Sequence, residues 1–161
     1  MGIESFEALI QPLYREAFRL AFAMLQNVAD AEDAVQDATI RAWRSLPRFR
    51  AGEDVQPWFL TIVANRCRTR RRAARARLRE LAGASYEDRW PSWLEERGDL
   101  HRAIRSLDPV SRLVVVLRYY CDLSYDDVAA ISGLSTTAAR ARVSRALRRL
   151  RGHLIVSGVT A

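Results

Sequence analysis

The sequence predicts an all-α protein: two small helical domains joined by a linker, the second a helix-turn-helix domain. Apolar residues recur at helical spacing through most of the chain. The one β-branched run, Val114-Val115-Val116, lies inside a helical frame opened by Asp108-Pro109, a capping residue followed by proline at the first helical position. Charge is segregated along the chain, with an acidic strip between two arginine-rich segments, the pattern of two modules and a connection.

From Phe6 to Leu25 the residues Phe6, Leu9, Ile10, Leu13, Ala17, Leu20, Ala21, Met24 and Leu25 keep helical spacing, which predicts a first helix. Asn27 to Asp30 break the pattern, and Asp30 can cap a second helix running to about Leu46. That helix buries Ala31, Ala34, Val35, Ala38, Ile40 and Trp43 in part and leaves Glu32, Asp33, Gln36 and Asp37 largely exposed. A polar loop, Leu46 to Pro57, contains Pro47, Gly52 and Pro57; a third helix then runs from about Pro57 through an arginine cluster. Residues 80–99 lose periodicity and include Gly83, Pro91 and Gly98, which places the linker there. Its Tyr86, Trp90, Trp93 and Leu94 are too apolar for a purely flexible tether. Helices resume near Leu100, Pro109, Ser124 and Ser135.

The last third carries the most specific pattern. Ser124 is a good N-cap, with Asp127 three residues on, where a carboxylate favours a helix start. Val128, Ala129 and Ile131 give that helix an apolar face, Gly133 can take the left-handed conformation that ends it, and Ser135 caps the next helix. In that helix Ala139, Val143, Leu147, Leu150 and Leu154 form a core seam. Arg140, Arg142, Arg145, Arg148, Arg149 and Arg151 flank the seam with no acidic residue among them. A helix held by its apolar stripe and lined with guanidinium groups suits a DNA major groove.

Composition narrows the function classes. The 161 residues are 49% hydrophobic with only 7 Gly and 5 Pro, enough for a core and too ordered for a disordered chain. All 26 basic residues are Arg and the net charge is +7, a balance that favours a polyanionic partner. Cys67 and Cys121 belong to no CxxC pair, so neither a zinc site nor another cofactor is indicated, and a reducing cytoplasm fits. The arginines around Cys67 could lower its thiol pKa, which would favour redox sensing; an inert helix cysteine is the plainer reading. No apolar stretch approaches membrane-spanning length, so no membrane insertion is expected, and the N-terminus with Glu4 and Glu7 is no signal peptide. His101 and His153 sit in no recognisable nucleophile or metal spacing, which argues against an enzyme.

Three features of residues 1–79 matter together: the acidic, amide-bearing face Asp30 to Asp37, which taken alone is an ordinary solvent face; the helix start Trp58-Phe59-Leu60-Thr61-Ile62-Val63-Ala64-Asn65-Arg66; and the arginines at 66, 68, 70, 71, 72, 75, 77 and 79. Aromatics, an amide and guanidinium groups on one helix are equipment for gripping single-stranded or distorted DNA.

Taken in order, these segments resemble the extracytoplasmic-function sigma factors of bacterial RNA polymerase, from about Phe6 to Arg151. The resemblance rests on Asp30 to Gln36, on Trp58 to Asn65 with the basic run that follows, on Leu107-Asp108-Pro109 through Leu117-Arg118-Tyr119, and on Leu123 to Ser135. Its departures are Ile62-Val63-Ala64-Asn65, whose basic companion is displaced to Arg66; the smaller Ala139 and more polar Ser132, which suggest a looser helix-turn-helix core; and Ala141, which lacks the side-chain donor the family often has there. It implies a region-2-like domain over 1–79, a linker over 80–99 and a region-4-like domain over 100–161. Asp30, Asp33, Gln36 and Asp37 would then bind core RNA polymerase. Trp58, Asn65, Arg66 and Arg70 would engage the minus-ten element, and Arg140, Arg142, Ser144, Arg145 and Arg149 the minus-thirty-five element of promoter DNA. Family membership also implies an anti-sigma factor as partner. The alternative is an autonomous helix-turn-helix regulator, which would share the carboxy-terminal half but gives no reason for the acidic face or for two basic segments.

Overall fold

The computed structural model describes residues 3–50, 52–80 and 98–156, and among them every regular element is helical. Most of the segment expected to be the linker, with Tyr86, Trp90, Trp93 and Leu94, lies outside the described residues. The chain divides into two compact units, Met1–Arg89 and Trp90–Ala161.

The first unit contains α1 (Ile3–Ile10), α2 (Tyr14–Leu25), α3 (Val28–Ser45) and α4 (Val55–Glu80). The helix expected over Phe6–Leu25 is interrupted by a 3₁₀ turn at Gln11–Leu13. Pro12 has no N–H to continue the helical ladder and its ring crowds the preceding turn. The apolar spacing survives because both pieces bury the same side, including Phe6, Ile10, Ala17, Leu20 and Ala21. α2 ends at Gln26, whose φ of +57° is unusual for a side chain with a Cβ. Its own amide compensates by donating to the Phe22 and Ala23 carbonyls, each at 3.1 Å.

The cap of α3 is Asn27, not Asp30: its Oδ1 accepts the Asp30 N–H at 3.0 Å. Asp30 instead sits in the first turn, where a carboxylate favours the positive helix end. Ala31, Ala34, Ala38 and Ala42 make a stripe of small side chains at helical spacing, which lets α2 and α4 approach α3 closely. Ile40, expected to be partly buried, is 52% exposed because it lies on the far side of that stripe. α4 fills the remaining face with Phe59, Leu60, Val63, Ala64 and Cys67, all fully buried.

The second unit contains α5 (Gly98–Ser106), α6 (Pro109–Val115), α7 (Tyr125–Ser132) and α8 (Thr136–Val156). The Asp108 side chain caps α6, accepting the Ser111 N–H at 3.0 Å, with Pro109 at the start of the helix. The helical frame continues past Val115 as a wider π turn, Val116–Tyr120, and Asp122 then adopts φ +51°. Ser124 caps α7, Gly133 ends it at φ +74°, and the Ser135 hydroxyl oxygen accepts the Ala138 N–H at 3.1 Å to start α8. These local devices set the helix-turn-helix as expected. α8 packs on α5, α6 and α7. Its buried seam is Ala139, Val143, Ala146 and Leu150, with Leu147 half-buried at its edge. Ala146 was not expected in the seam; its small side chain admits Ala103, Leu107 and Val115 against the helix. Ser132 turns its hydroxyl back to the Val128 carbonyl at 2.6 Å, so the polar residue before the turn is satisfied within α7.

Candidate nucleic-acid interface

The acidic face of α3 forms as its spacing requires. Asp30, Asp33 and Asp37 share one side of the helix, and Asp33, Gln36 and Asp37 are exposed. Arg70 of α4 reaches all three carboxylates, at 3.6 Å from Asp30, 3.3 Å from Asp33 and 3.3 Å from Asp37. Arg70 therefore stands on the acidic face and ties α3 to α4. The other arginines of α4 remain along a helix that carries many like charges and few acids.

The segment that leads into α4 is pinned at two points. Phe49 packs on Trp58 with ring centroids 4.7 Å apart, and the Gln56 amide donates to Glu16 at 2.7 Å. Asp54 accepts the Gln56 N–H at 3.0 Å and opens the helix before Pro57, two residues earlier than expected. Two turns beyond Trp58, α4 presents Asn65 and Arg66. Asn65 is exposed and accepts from Arg68 at 2.9 Å, and the half-buried Arg66 donates to Thr69 at 3.1 Å. These are exchangeable contacts on one helix face, with donors and acceptors near the surface.

Cys67 faces the opposite way. Burial pushes its thiol up to about 12, and the nearby Arg68, Arg70 and Arg71 offset that only in part. The raised pKa accords with the inert reading and speaks against redox sensing, because desolvation of a thiolate outweighs the nearby arginine charges.

In α8 the arginines sort by direction, since each residue advances about 100° around the axis. Arg142 and Arg149 turn toward the start of the unit. Arg142 donates to Asp108 Oδ1 at 2.9 Å and to Ser111 Oγ at 3.4 Å, and Arg149 donates to the Ser106 carbonyl at 3.4 Å. Asp108 is the hub of the first contact. Burial alone would raise its carboxyl, but hydrogen bonds from Ser111 and the charge of Arg142 together hold it below its ordinary value of 3.8. Arg140 lies on another flank, its guanidinium 4.6 Å from the Tyr125 ring centroid. Arg118 contacts the same ring at 5.1 Å. Ser144 is exposed on the same flank, and Arg145 is exposed farther round the helix. A groove of about 290 Å³ runs along this flank, lined by Tyr119, Tyr125, Ser144, Arg148 and Arg151 over Val143 and Leu147. The convergence of Arg118 and Arg140 on Tyr125 is set by the helix-turn-helix geometry and has no linear signal.

Among the described residues no cluster of side chains fits a metal ion, and no helix is long and apolar enough to cross a membrane. Comparison with known proteins extends the picture. The family described as sigma-70 region 2 matches residues 9–77, and sigma-70 region 4 matches residues 97–150. The chain is 31% identical to the ECF RNA polymerase sigma factor SigC of Mycobacterium tuberculosis over 147 residues, covering 88% of this chain and 79% of that protein. It is 28% identical to the RNA polymerase sigma factor SigV of Bacillus subtilis, covering 87% and 85% respectively. Among solved structures it is similar to the sigma factor RpoE in complex with the anti-sigma factor NepR from Bartonella quintana, with a TM-score of 0.84, 26% identity and coverage of 96% of this chain and 99% of that one.

Proposed function

The chain belongs to the extracytoplasmic-function sigma factors, which direct bacterial RNA polymerase to promoters, and on that premise we propose a division of the task among its surfaces. The region-2-like domain spans 1–79, a linker 80–99, and the region-4-like domain 100–161. The face formed by Asp30, Asp33, Gln36 and Asp37 docks on the coiled coil of the large clamp subunit of core polymerase. An acidic helix face at fixed spacing suits a basic partner, and Arg70 holds its carboxylates in place until one arrives.

The segment Leu46–Gln56 and the start of α4 recognise and open the minus-ten element. Trp58 is fixed by Phe49, which gives a stacking surface a defined position. Asn65 and Arg66 meet the separated strand, since their present partners lie on their own helix and can be exchanged for bases. Arg70 sits farther along and serves both the acidic face and the DNA-facing helix.

In the second domain Arg140, Ser144 and Arg145 read the minus-thirty-five element, and Arg148 and Arg151 hold its phosphates. Arg142 and Arg149 set the pose of the recognition helix through Asp108 and Ser106. The protein acts in the cytoplasm, without catalysis of its own, and is held inactive by an anti-sigma factor, as suggested by the likeness to a sigma factor solved in such a complex.

The observation that carries this reading is the presence, in one chain, of an exposed acidic face on α3 and two separate arginine-bearing helices, α4 and α8. The test is in vitro transcription from a genomic promoter library by core polymerase, with and without the protein. Promoter-specific transcripts that require both components are expected. Sequence-specific duplex binding by the free protein, with no effect on core polymerase, would instead favour an autonomous regulator.

A further inference from the structure

The contact between Tyr125 and Arg140 has chemistry that an ordinary ion pair lacks. Tyr125 is the first residue of α7, placed by the Ser124 cap, and it stands half-buried against α8. The Arg140 guanidinium lies 4.6 Å from its ring centroid. Among the described residues no carboxylate comes within ion-pair distance of Arg140. A carboxylate partner would occupy the N–H donors; an aromatic face holds the cation through its π-system and leaves those donors available to a base edge.

The ring is itself held in place. Arg118 lies against it at 5.1 Å and is fixed in turn by donating to the Leu123 carbonyl at 2.9 Å and by pairing with Asp122 at 3.5 Å. Asp122, which pairs with Arg118, follows the π turn with a left-handed φ of +51°. The starts of the two helices are also locked together. Asp126, next to Tyr125, accepts the Thr136 hydroxyl at 2.8 Å, and Thr136 opens α8 one turn before Arg140. Ser144, one turn after Arg140, lines the same groove as Tyr125.

We propose that Tyr125 is a positioning residue for promoter recognition: its ring pre-orients the Arg140 guanidinium so that the N–H edge faces the DNA. The inference rests on the assignment of Arg140 to the minus-thirty-five element. A long arginine side chain otherwise loses rotamer freedom on binding, and a preformed stack removes part of that cost before the DNA arrives.

The test uses the full chain with core polymerase and the promoter recovered most often from the genomic library, with each position of its upstream element varied in turn. Arg140→Ala is expected to flatten the preference at one or two positions. Tyr125→Leu should weaken discrimination at those same positions by about two- to fivefold, the size of an exposed cation–π contact. Tyr125→Phe keeps the ring and should keep the preference. Tyr125→Leu should add nothing in the Arg140→Ala background, because the two act as one unit. If the leucine variant melts below the assay temperature, Tyr125→Met carries the same comparison. Arg140→Ala flattening the preference while Tyr125→Leu leaves it intact, or weakens every template alike, overturns the positioning role alone. Arg140→Ala leaving every preference unchanged overturns the DNA assignment of Arg140 and the inference with it.

Discussion

The Arg142 guanidinium donates to the Asp108 carboxylate at 2.9 Å, joining the middle of the recognition helix to the cap of α6. One carboxylate thus caps a helix, accepts the Ser111 hydroxyl at 2.6 Å and anchors an arginine 34 residues away. The pose of α8 depends on a group that is not on α8.

The first prediction follows from the lowered pKa of Asp108. A carboxyl held below its ordinary 3.8 in the fold contributes stability that is fully present above the unfolded value. That contribution is lost as pH falls from about 4 through the lower folded value. Asp108→Asn can keep a capping oxygen but cannot titrate, so its thermal midpoint should vary less with pH below 4 than that of the unaltered protein. Asp108→Ala, which also loses the cap, should cost about 0.5–2 kcal/mol at neutral pH. Parallel midpoint-against-pH curves for Asp108→Asn and the unaltered chain would rule out Asp108 as a source of acid sensitivity.

A second prediction concerns the acidic face. Asp33 and Gln36 are exposed on α3, and the ion pairs to Arg70 are open to solvent, where such pairs contribute about 1 kcal/mol or less. Asp33→Arg combined with Gln36→Ala should therefore leave the fold in place, with stability changed by about 0.5–1 kcal/mol. Its affinity for core polymerase, measured by titrating labelled protein, should fall clearly. An unchanged affinity would mean that core polymerase docks elsewhere.

The helix-turn-helix was legible because its devices are local. Ser124, Gly133 and Ser135 act on backbone groups within a few residues, and Asp108-Pro109 does the same for α6. The start of α3 was placed late because Asn27 and Asp30 are both competent caps, and only the backbone geometry shows which one turns its side chain into the first turn. The break at Pro12 was hidden by apolar spacing that continues in phase across it. The arginines were the least legible. Sequence shows that a helix-borne arginine must find water, phosphate or a carboxylate. It does not show that Arg70 finds Asp30, Asp33 and Asp37, that Arg142 finds Asp108, or that Arg140 finds a ring.

Cys67 offers a third prediction. The thiol is fully buried and its pKa is pushed up to about 12, so almost no thiolate exists near neutral pH. An alkylating reagent at pH 7.5 should modify Cys67 only as fast as the first unit opens, and quickly in denaturant. Mass spectrometry of the Cys67 peptide resolves the two regimes. Modification in the folded protein at the rate of a free thiol would restore redox sensing as a possibility. Cys67→Ala should keep promoter-directed transcription while losing part of the packing of α4, since removal of one buried sulfur leaves only a small gap.

The fourth prediction separates base reading from phosphate contact on α8. Arg145 is exposed on the outer face, whereas Arg142 is turned aside to Asp108 and Arg149 toward the Ser106 carbonyl. An arginine bidentate to guanine is worth roughly 1–3 kcal/mol of discrimination against the wrong base. A phosphate contact weakens all sequences alike and changes the salt slope by about one. Arg145→Ala should therefore relax preference at one or two positions of the upstream element. Arg151→Ala should lower transcription from every template by a similar factor and flatten the salt dependence. Arg142→Ala should also act on all templates, but its loss should track a lower melting temperature, because it removes the anchor to Asp108 and leaves that carboxylate without its cation. Measuring transcription from a promoter-variant series at two salt concentrations, with melting curves for each variant, separates the three patterns. If Arg145→Ala weakens every template equally while Arg142→Ala alters base preference without loss of stability, the recognition helix enters the groove in a different rotation from the one its contacts to Asp108 and Tyr125 imply.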